Sequence, residues 1–278
     1  MNNWAIIGSE GFIAKRHKKA IEEVGDKILL TCDSNRLTNP DFYDFEKMRA
    51  SNQWKRVSHV AICVPNYLHA DLVKACLEDG KKVLCEKPLT IYGDYEGLED
   101  VKVVLQLRCN PEVQKLRETI EQDSDVFIDV QTYREKEYWD GWKGNPLKSG
   151  GILYNMGIHY IDLLIYLLGE PLEILEAKTD FKYHAHGKVR FEKGVGNYNI
   201  NLSKEPCETE RSILVNGKLS DVEGATIPLS DSKNQTYLNL HTEVYKNLKE
   251  GKGVGLEEAK KSLELVEKLM KNDGTDFL

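Results

Sequence analysis

Three strongly polar side chains, Asn155, His159 and Asp162, interrupt the apolar stretch Gly150–Gly169, GGILYNMGIHYIDLLIYLLG. Spacings of four and three align them along one stripe of a helix. Paired glycines open the stretch and Gly169 closes it ahead of Glu170-Pro171, which are helix start and stop signals. An imidazole can take up a proton near neutral pH. A carboxamide or carboxylate one turn away could orient that ring or a hydroxyl group. Two plainer readings compete: a buried helix in which Asp162 satisfies His159, and a membrane span. The run is long enough to span, but three polar groups lie inside it and no second span accompanies it.

A second set of reactive residues lies earlier, at the ends of short apolar runs. Trp4–Gly8 leads into Gly8-Ser-Glu-Gly11 and a helical stretch, Phe12–Val24; Lys27–Asp33 is the next strand, with Asp33 standing 22 residues after Gly11. Strand, glycine turn, helix, strand and acid form the opening unit of a dinucleotide-binding fold. Glycines let backbone N–H groups approach a pyrophosphate at the helix N-terminus, and the acid reaches the ribose hydroxyls. The acid favours NAD over NADP, although Arg36 nearby could accept a 2′-phosphate. The glycine spacing, Gly8, Gly11, Ala14, is irregular and carries weight only together with Asp33 and the strands after it.

A helix is expected near Phe42–Ala50. His59–Val64 reads as a strand buried on both faces, ending at Pro65-Asn66-Tyr67-Leu68-His69, and a helix from about Ala70 to Asp79 comes next. Lys82–Cys85 is a strand ending at Glu86-Lys87-Pro88, and Val101–Leu107 is a further strand ending at Arg108. This alternation predicts a doubly wound parallel sheet, whose ligands bind beyond the carboxyl ends of its strands. Gly8, Asp33, Pro65, Asn66, Glu86, Lys87 and Arg108 would all stand on that edge. Beyond it come a helix (Glu112–Glu121), an alternating strand (Val126–Arg134), the aromatic loop 138–146 and the helix at 150–169. Strands near Leu172–Thr179, Phe181–His186, Val189–Glu192, Gly196–Leu202 and Ser212–Val215 predict a mostly antiparallel sheet. A helix at Leu256–Met270 is the last element. The expected organisation is an α/β chain: a Rossmann domain at 1–108, then an α+β domain with an open sheet at 109–278.

The 278 residues, 41% apolar and 30% charged, suit one large domain or two ordinary ones. A net charge of −7 without a basic block disfavours nucleic acid as a main partner. The six cysteines form no CxxC pair, and several lie inside apolar runs, so reduced thiols in the cytoplasm are expected. The N-terminus enters a strand pattern at once, without a basic-then-apolar leader. His184 and His186 alternate on a strand but lack a third ligand, and no metal site is expected.

Four pieces of the chain resemble the Gfo/Idh/MocA oxidoreductases: Gly8…Gly11-Phe-Ile-Ala-Lys-Arg-His17, Cys63-Val-Pro-Asn66-Tyr-Leu-His69, Cys85-Glu-Lys87-Pro88, and Gly150-Gly…Asn155-Met-Gly-Ile-His159-Tyr-Ile-Asp162. Leu105-Gln-Leu-Arg108, Gly141-Trp-Lys143-Gly, Lys148-Ser-Gly150 and Arg211-Ser-Ile-Leu-Val-Asn-Gly217 are similar to the WlbA/WbpB branch, which oxidises the 3-hydroxyl of UDP-N-acetylglucosaminuronic acid in O-antigen synthesis. The resemblance implies Lys87 and His159 as catalytic residues. It also implies a cofactor site at Gly8, Gly11, Phe12, Ile13, Asp33, Pro65, Asn66, His69, Glu86 and Lys87, and a cis peptide before Pro88. Arg108 and Lys143 are candidate donors to an anionic substrate, alongside Lys87, Asn155 and His159. A homotetramer and reoxidation of NADH by 2-oxoglutarate are further expectations. The chain departs from the family at Asn155, Cys63 and Cys109-Asn110, and it is short between Pro88 and Val101 and around Ser220–Thr236. Two other functions stay open: a dehydrogenase of another sugar or polyol, and a catalytically silent sensor of dinucleotide and sugar.

Overall fold

The computed structural model describes residues 1–91, 93–216, 218–219 and 240–272. Its first elements are β1 (Asn3–Ile7), α1 (Ala14–Glu23), β2 (Lys27–Cys32), α2 (Phe45–Arg49), β3 (His59–Ile62), α3 (His69–Glu78), β4 (Lys82–Cys85) and β5 (Lys102–Val103). Next come α4 (Pro111–Thr119), β6 (Ser124–Tyr133), α5 (Lys136–Asp140), α6 (Pro146–Ser149), α7 (Ile158–Leu168), β7 (Pro171–Thr179), β8 (His184–Phe191), β9 (Gly194–Ser203), β10 (Glu210–Val215) and β11 (Lys218–Leu219). The chain finishes with α8 (Leu240–Lys249), β12 (Val254–Gly255) and α9 (Leu256–Asn272). It divides into two compact units: Met1–Gln106 with Leu238–Ala259, and Leu107–Tyr237 with Lys260–Leu278. The first unit thus takes back a late segment that a simple division near residue 108 does not include.

The first unit holds a six-stranded sheet in the order β12-β5-β4-β3-β1-β2, parallel except where β12 pairs with β5. Val60, Ala61 and Ile62 of β3 are wholly buried, as a continuous apolar run between two covered faces requires. The strand expected over Val101–Leu107 is only Lys102–Val103, followed by a 3₁₀ turn at Gln106–Cys109. The Val104 N–H still donates to the Cys85 carbonyl at 2.9 Å, but the Leu105 N–H turns back to Val103. Arg108 therefore leaves the sheet on a turn instead of standing at a strand end. Between Pro88 and Val101 the described residues contain no helix. The helix α8 is an element the sequence pattern does not announce, and the shortened stretch Ser220–Thr236 lies outside the described residues.

The second unit holds another six-stranded sheet, β11-β10-β6-β9-β8-β7, antiparallel except for the β6–β9 pair. Along β6, Ser124, Val126, Ile128, Val130 and Thr132 are buried in alternation, so that face receives α7. The two strands expected within 181–192 are one strand, β8. Its start is set by Asp180, whose Oδ1 accepts the N–H groups of Lys182, Tyr183 and His184. The helical run Pro146–Leu168 is long and apolar enough to cross a membrane, but its most apolar window is 89% buried in the protein. Within it Leu153–Gly157 is a π-turn. The wider turn alters the spacing on which a single α-helical stripe through Asn155, His159 and Asp162 depends.

Candidate active site

In the first unit, Gly8 has φ +80°, and a Cβ there would lie 2.6 Å from the Cys63 carbonyl oxygen. Only glycine allows β1 to end this close to β3. The N–H groups of Gly8 and Ser9 both donate to the Cys32 carbonyl. The Asp33 carboxylate accepts from the Glu10 N–H at 2.9 Å and the Asn35 N–H at 2.9 Å. The glycine turn and the acid after β2 are thus tied together ahead of α1, with Ile13 as its N-cap and Phe12 74% exposed. A tight backbone turn at a helix N-terminus with an acid beside it fits a dinucleotide.

Asn66 is buried at the start of a 3₁₀ turn that follows Pro65. His69 is wholly buried, its Nδ1 lying 2.6 Å from the Pro88 carbonyl and its Nε2 2.9 Å from the Val64 carbonyl. Burial pulls its pKa down, against both carbonyls. This corrects the expected cofactor-lining role: His69 ties the turn after β3 to the turn after β4, and neither ring nitrogen faces outward. The Lys87–Pro88 peptide is cis, and Lys87 is half-buried.

Glu86 also differs from expectation. It is 6% exposed, and its Oε1 accepts from both His17 Nε2 (3.0 Å) and His241 Nε2 (3.1 Å). The Lys87 N–H donates to Oε2 at 3.2 Å. The other His17 nitrogen, Nδ1, is 2.8 Å from the Tyr245 hydroxyl. Burial alone would lower the His17 pKa; Cys63 and Glu86 outweigh it and push it up to about 9. Burial would raise Glu86, but the two imidazoles hold it well below the carboxylate range. His17 is therefore charged and Glu86 ionised, a buried pair one residue before Lys87. The ligand-type atoms of His17, Glu86 and His241 lie within 4.8 Å of one another. With the Glu86 carboxylate on Nε2 and the Tyr245 hydroxyl able to accept from Nδ1, the raised pKa of His17 fits a protonated imidazole, whose charge is of the sign that a metal would bring.

In the second unit Arg108 does not reach outward. Its Nε and Nη2 donate to Asp162 at 2.8 and 2.7 Å, and the Ser262 hydroxyl adds a bond of 2.6 Å. Asp162 is 1% exposed, and a buried carboxylate is costly without such partners. Two expectations fall together: Arg108 as a clamp for an anionic substrate, and Asp162 as the orienter of His159. His159 is half-buried, directly after the π-turn. Asn155 donates to the Tyr138 hydroxyl at 2.7 Å. Tyr138, Lys143, Ser149, Asn155, Phe181 and Lys182 line one pocket, which groups two of the expected substrate residues. Exposed Lys143 lies 5.5 Å from the Tyr138 ring. Trp139 packs against Tyr138 and Tyr183 and donates to the Arg134 carbonyl, as an aromatic plug would. His184 bonds Asn199 and His186 faces Glu176, an ordinary cross-strand arrangement.

Sequence reasoning missed His241, Tyr245 and Lys182, and assigned His17 no role. His241 and Tyr245 stand four apart in LHTEVYKNLK, a helical spacing that would have flagged one face.

A model of the Gfo/Idh/MocA oxidoreductase family's NAD-binding Rossmann fold matches residues 2–108, and a model of that family's C-terminal alpha/beta domain matches residues 125–253. The WlbA (WbpB) dehydrogenase of Thermus thermophilus, solved with NAD and alpha-ketoglutarate, is 29% identical with a TM-score of 0.82, over 97% of this chain and 94% of that one. The same enzyme with NAD and UDP-GlcNAcA gives 29% and 0.82 over 96% and 94%. D-xylose 1-dehydrogenase (NADP(+)) 2 of Haloferax volcanii is 27% identical over 180 residues, 60% of this chain and 54% of that protein. The chain spans about half the length of the curated relatives it matches first.

Proposed function

Because the chain belongs to the Gfo/Idh/MocA oxidoreductase family, we propose that it oxidises the 3-hydroxyl of a UDP-linked amino sugar acid with NAD, in surface polysaccharide synthesis in the cytoplasm. The likeness over nearly the whole chain to an enzyme solved with NAD and UDP-GlcNAcA carries this reading. The bound nicotinamide would supply the acceptor for the carbinol hydrogen and its electron pair. His159 takes the hydroxyl proton as general base. Lys87 steadies the developing alkoxide, held by the backbone that Glu86 anchors. The reverse assignment, Lys87 as base, uses the same two residues. Asn155 orients a sugar hydroxyl through its carboxamide, fixed by Tyr138. With Arg108 bound to Asp162, Lys143 and Lys182 become the donors at the pocket rim. Asp33 selects NAD by repelling a 2′-phosphate. A homotetramer belongs to the same reading.

The test is NADH formation with UDP-N-acetylglucosaminuronic acid, with and without 2-oxoglutarate, beside UDP-N-acetylglucosamine. Turnover with the acid alone supports the proposal. His159→Ala should lower kcat by about 10²–10⁴, and Lys87→Ala by about 10²–10³, with dinucleotide binding kept. Normal turnover in either variant removes that residue from the mechanism. A second reading, oxidation of a free sugar, is favoured by the likeness to D-xylose 1-dehydrogenase; turnover of free sugars but not of UDP-sugars would establish it. Dinucleotide binding without turnover of either class would leave the sensor reading.

A further inference from the structure

We propose that Arg134 and Arg211, with Tyr160 beside them, form a binding site for an oxyanion (a carboxylate or phosphate group) on the helix-covered face of the second unit's sheet. Arg211 stands opposite Val130 in the β10–β6 pairing. Val130 and Thr132 are on the buried face of β6. Arg134 follows β6 and folds back, its Nη1 donating to the Thr132 hydroxyl at 2.9 Å and the Tyr133 carbonyl at 3.1 Å. Thr132 in turn lies 3.3 Å from the Thr209 hydroxyl, just before β10. The Arg134 head is thus held at the level of Thr132 and the Arg211 stem at that of Val130. Two residues along one face of a strand separate these levels, roughly 7 Å.

Like charges on neighbouring strands repel unless an anion lies between or beside them, and the Arg211 charge does bear on Arg134. Among the described residues neither has a carboxylate partner, and the Arg211 Nε is buried without a hydrogen-bond acceptor. Leaving a buried charged donor unmet is costly. The charges are felt locally: burial pulls the Arg134 pKa down, and Arg211 pulls the same way. Tyr160, 3% exposed, is raised by burial against the pull of both arginines. Arg108, by contrast, has its acid built in. The fork of an arginine matches a carboxylate or phosphate through paired bonds.

The site also connects to the expected substrate residues. Arg134 lies 5.5 Å from the Tyr138 ring, Tyr138 accepts from Asn155, and Tyr160 follows His159 in the chain. Assignment of the oxyanion to the sugar nucleotide rests on the function proposed above; the site itself does not.

The experiment has two arms. In the first, sodium sulfate is titrated against sodium chloride at matched ionic strength, with thermal unfolding as the readout. Sulfate stabilises proteins generally, so the informative quantity is the difference between variants. The native protein should gain about 2–4 °C more than Arg134→Gln or Arg211→Gln. Arg211→Lys, which keeps the charge but not the fork, should lose most of the extra rise and covers the case where a glutamine variant does not fold. An equal rise in native and variant proteins would overturn the proposal. In the second arm, calorimetry measures binding of UDP-N-acetylglucosaminuronic acid and UDP-N-acetylglucosamine. If the sugar carboxylate is the occupant, Arg211→Gln weakens the acid about 10- to 100-fold and leaves the neutral sugar unchanged. If the diphosphate is the occupant, both weaken. Unchanged affinity for both overturns the assignment to the substrate. If neither binds the native protein while the sulfate difference holds, the oxyanion site stands and the functional reading falls.

Discussion

The buried charges of the two units are arranged in opposite ways. In the first, Glu86, His17, His241 and Tyr245 form a closed set: both His17 nitrogens and Glu86 Oε1 are engaged within the cluster. In the second, Arg134 has backbone, hydroxyl and ring neighbours, the Arg211 Nε is buried without an acceptor, and neither arginine has an acid partner among the described residues. A closed set can hold a neighbouring group rigidly whether or not a ligand is present, which suits the backbone that carries Lys87. An open set is incomplete without a partner, and that suits recognition. The Arg108–Asp162–Ser262 group shows that the second unit can also close a buried charge within itself, so the openness of the Arg134–Arg211 pair is particular to that place.

The largest effect should come from opening the closed set. Glu86→Gln removes the carboxylate and leaves the charge on His17 buried beside a neutral amide. Breaking a buried pair from one side costs about 3–5 kcal/mol, so the urea midpoint should fall steeply. A loss under about 1 kcal/mol, the size typical of exposed pairs, would show that the cluster is not a compensated charge set. Stoichiometric zinc in the purified protein, with a melting temperature lowered by a chelator, would show instead that a metal supplies the positive charge.

The same set fixes a pH window. The folded pKa of His17, about 9, lies above an unfolded value of about 6.5. Its contribution is therefore fully present below about 6.5 and is lost as pH rises through 9. The folded pKa of Glu86 is depressed, so its contribution is present above about 4.3 and is lost as pH falls through the folded value. Stability should decline on both sides of neutrality, with the alkaline loss on the order of 3 kcal/mol. His17→Gln should flatten the alkaline limb; an unchanged limb would place that titration elsewhere.

One arrangement is legible in the chain and the other is not because of where the residues lie. The glycine turn, Asp33 and the Glu-Lys-Pro turn are local, so spacing along the chain exposes them. The β3 run is legible because a strand buried on both faces has little choice of residue type. The closed set joins His17, Glu86 and His241 from three separate elements, and no local pattern links them. Arg108 misleads because a lone arginine after an apolar run looks outward-facing. Its partner Asp162 falls to His159 on α-helical spacing, and the π-turn breaks that spacing. The strand at 101–107 fails because apolar residues alone do not mark where a chain leaves the sheet; here the Leu105 turn does.

A finer test of closure is Tyr245→Phe. The ring stays packed 4.8 Å from Trp4, and only the hydroxyl on His17 Nδ1 is lost. One hydrogen bond is worth about 1 kcal/mol net. The variant should lose about that much, and the His17 pKa followed by NMR should fall, because the protonated ring has lost an acceptor. A pKa that stays near 9 would mean that Cys63 and Glu86 hold the proton without the hydroxyl.

The smallest effect, and the sharpest contrast with Glu86→Gln, belongs to Arg211→Gln in a dilute chloride buffer free of multivalent anions. Removing a member of a compensated set exposes its partner; removing one of two like charges relieves repulsion. The change in stability should lie within about 0.5 kcal/mol of zero, as for substitutions away from critical contacts, or be slightly favourable. Increasing chloride should narrow any gain, since salt screens the repulsion that the variant removes. A loss as large as that of Glu86→Gln would mean that Arg211 completes a structural set of its own, and the two units would then handle buried charge in the same way.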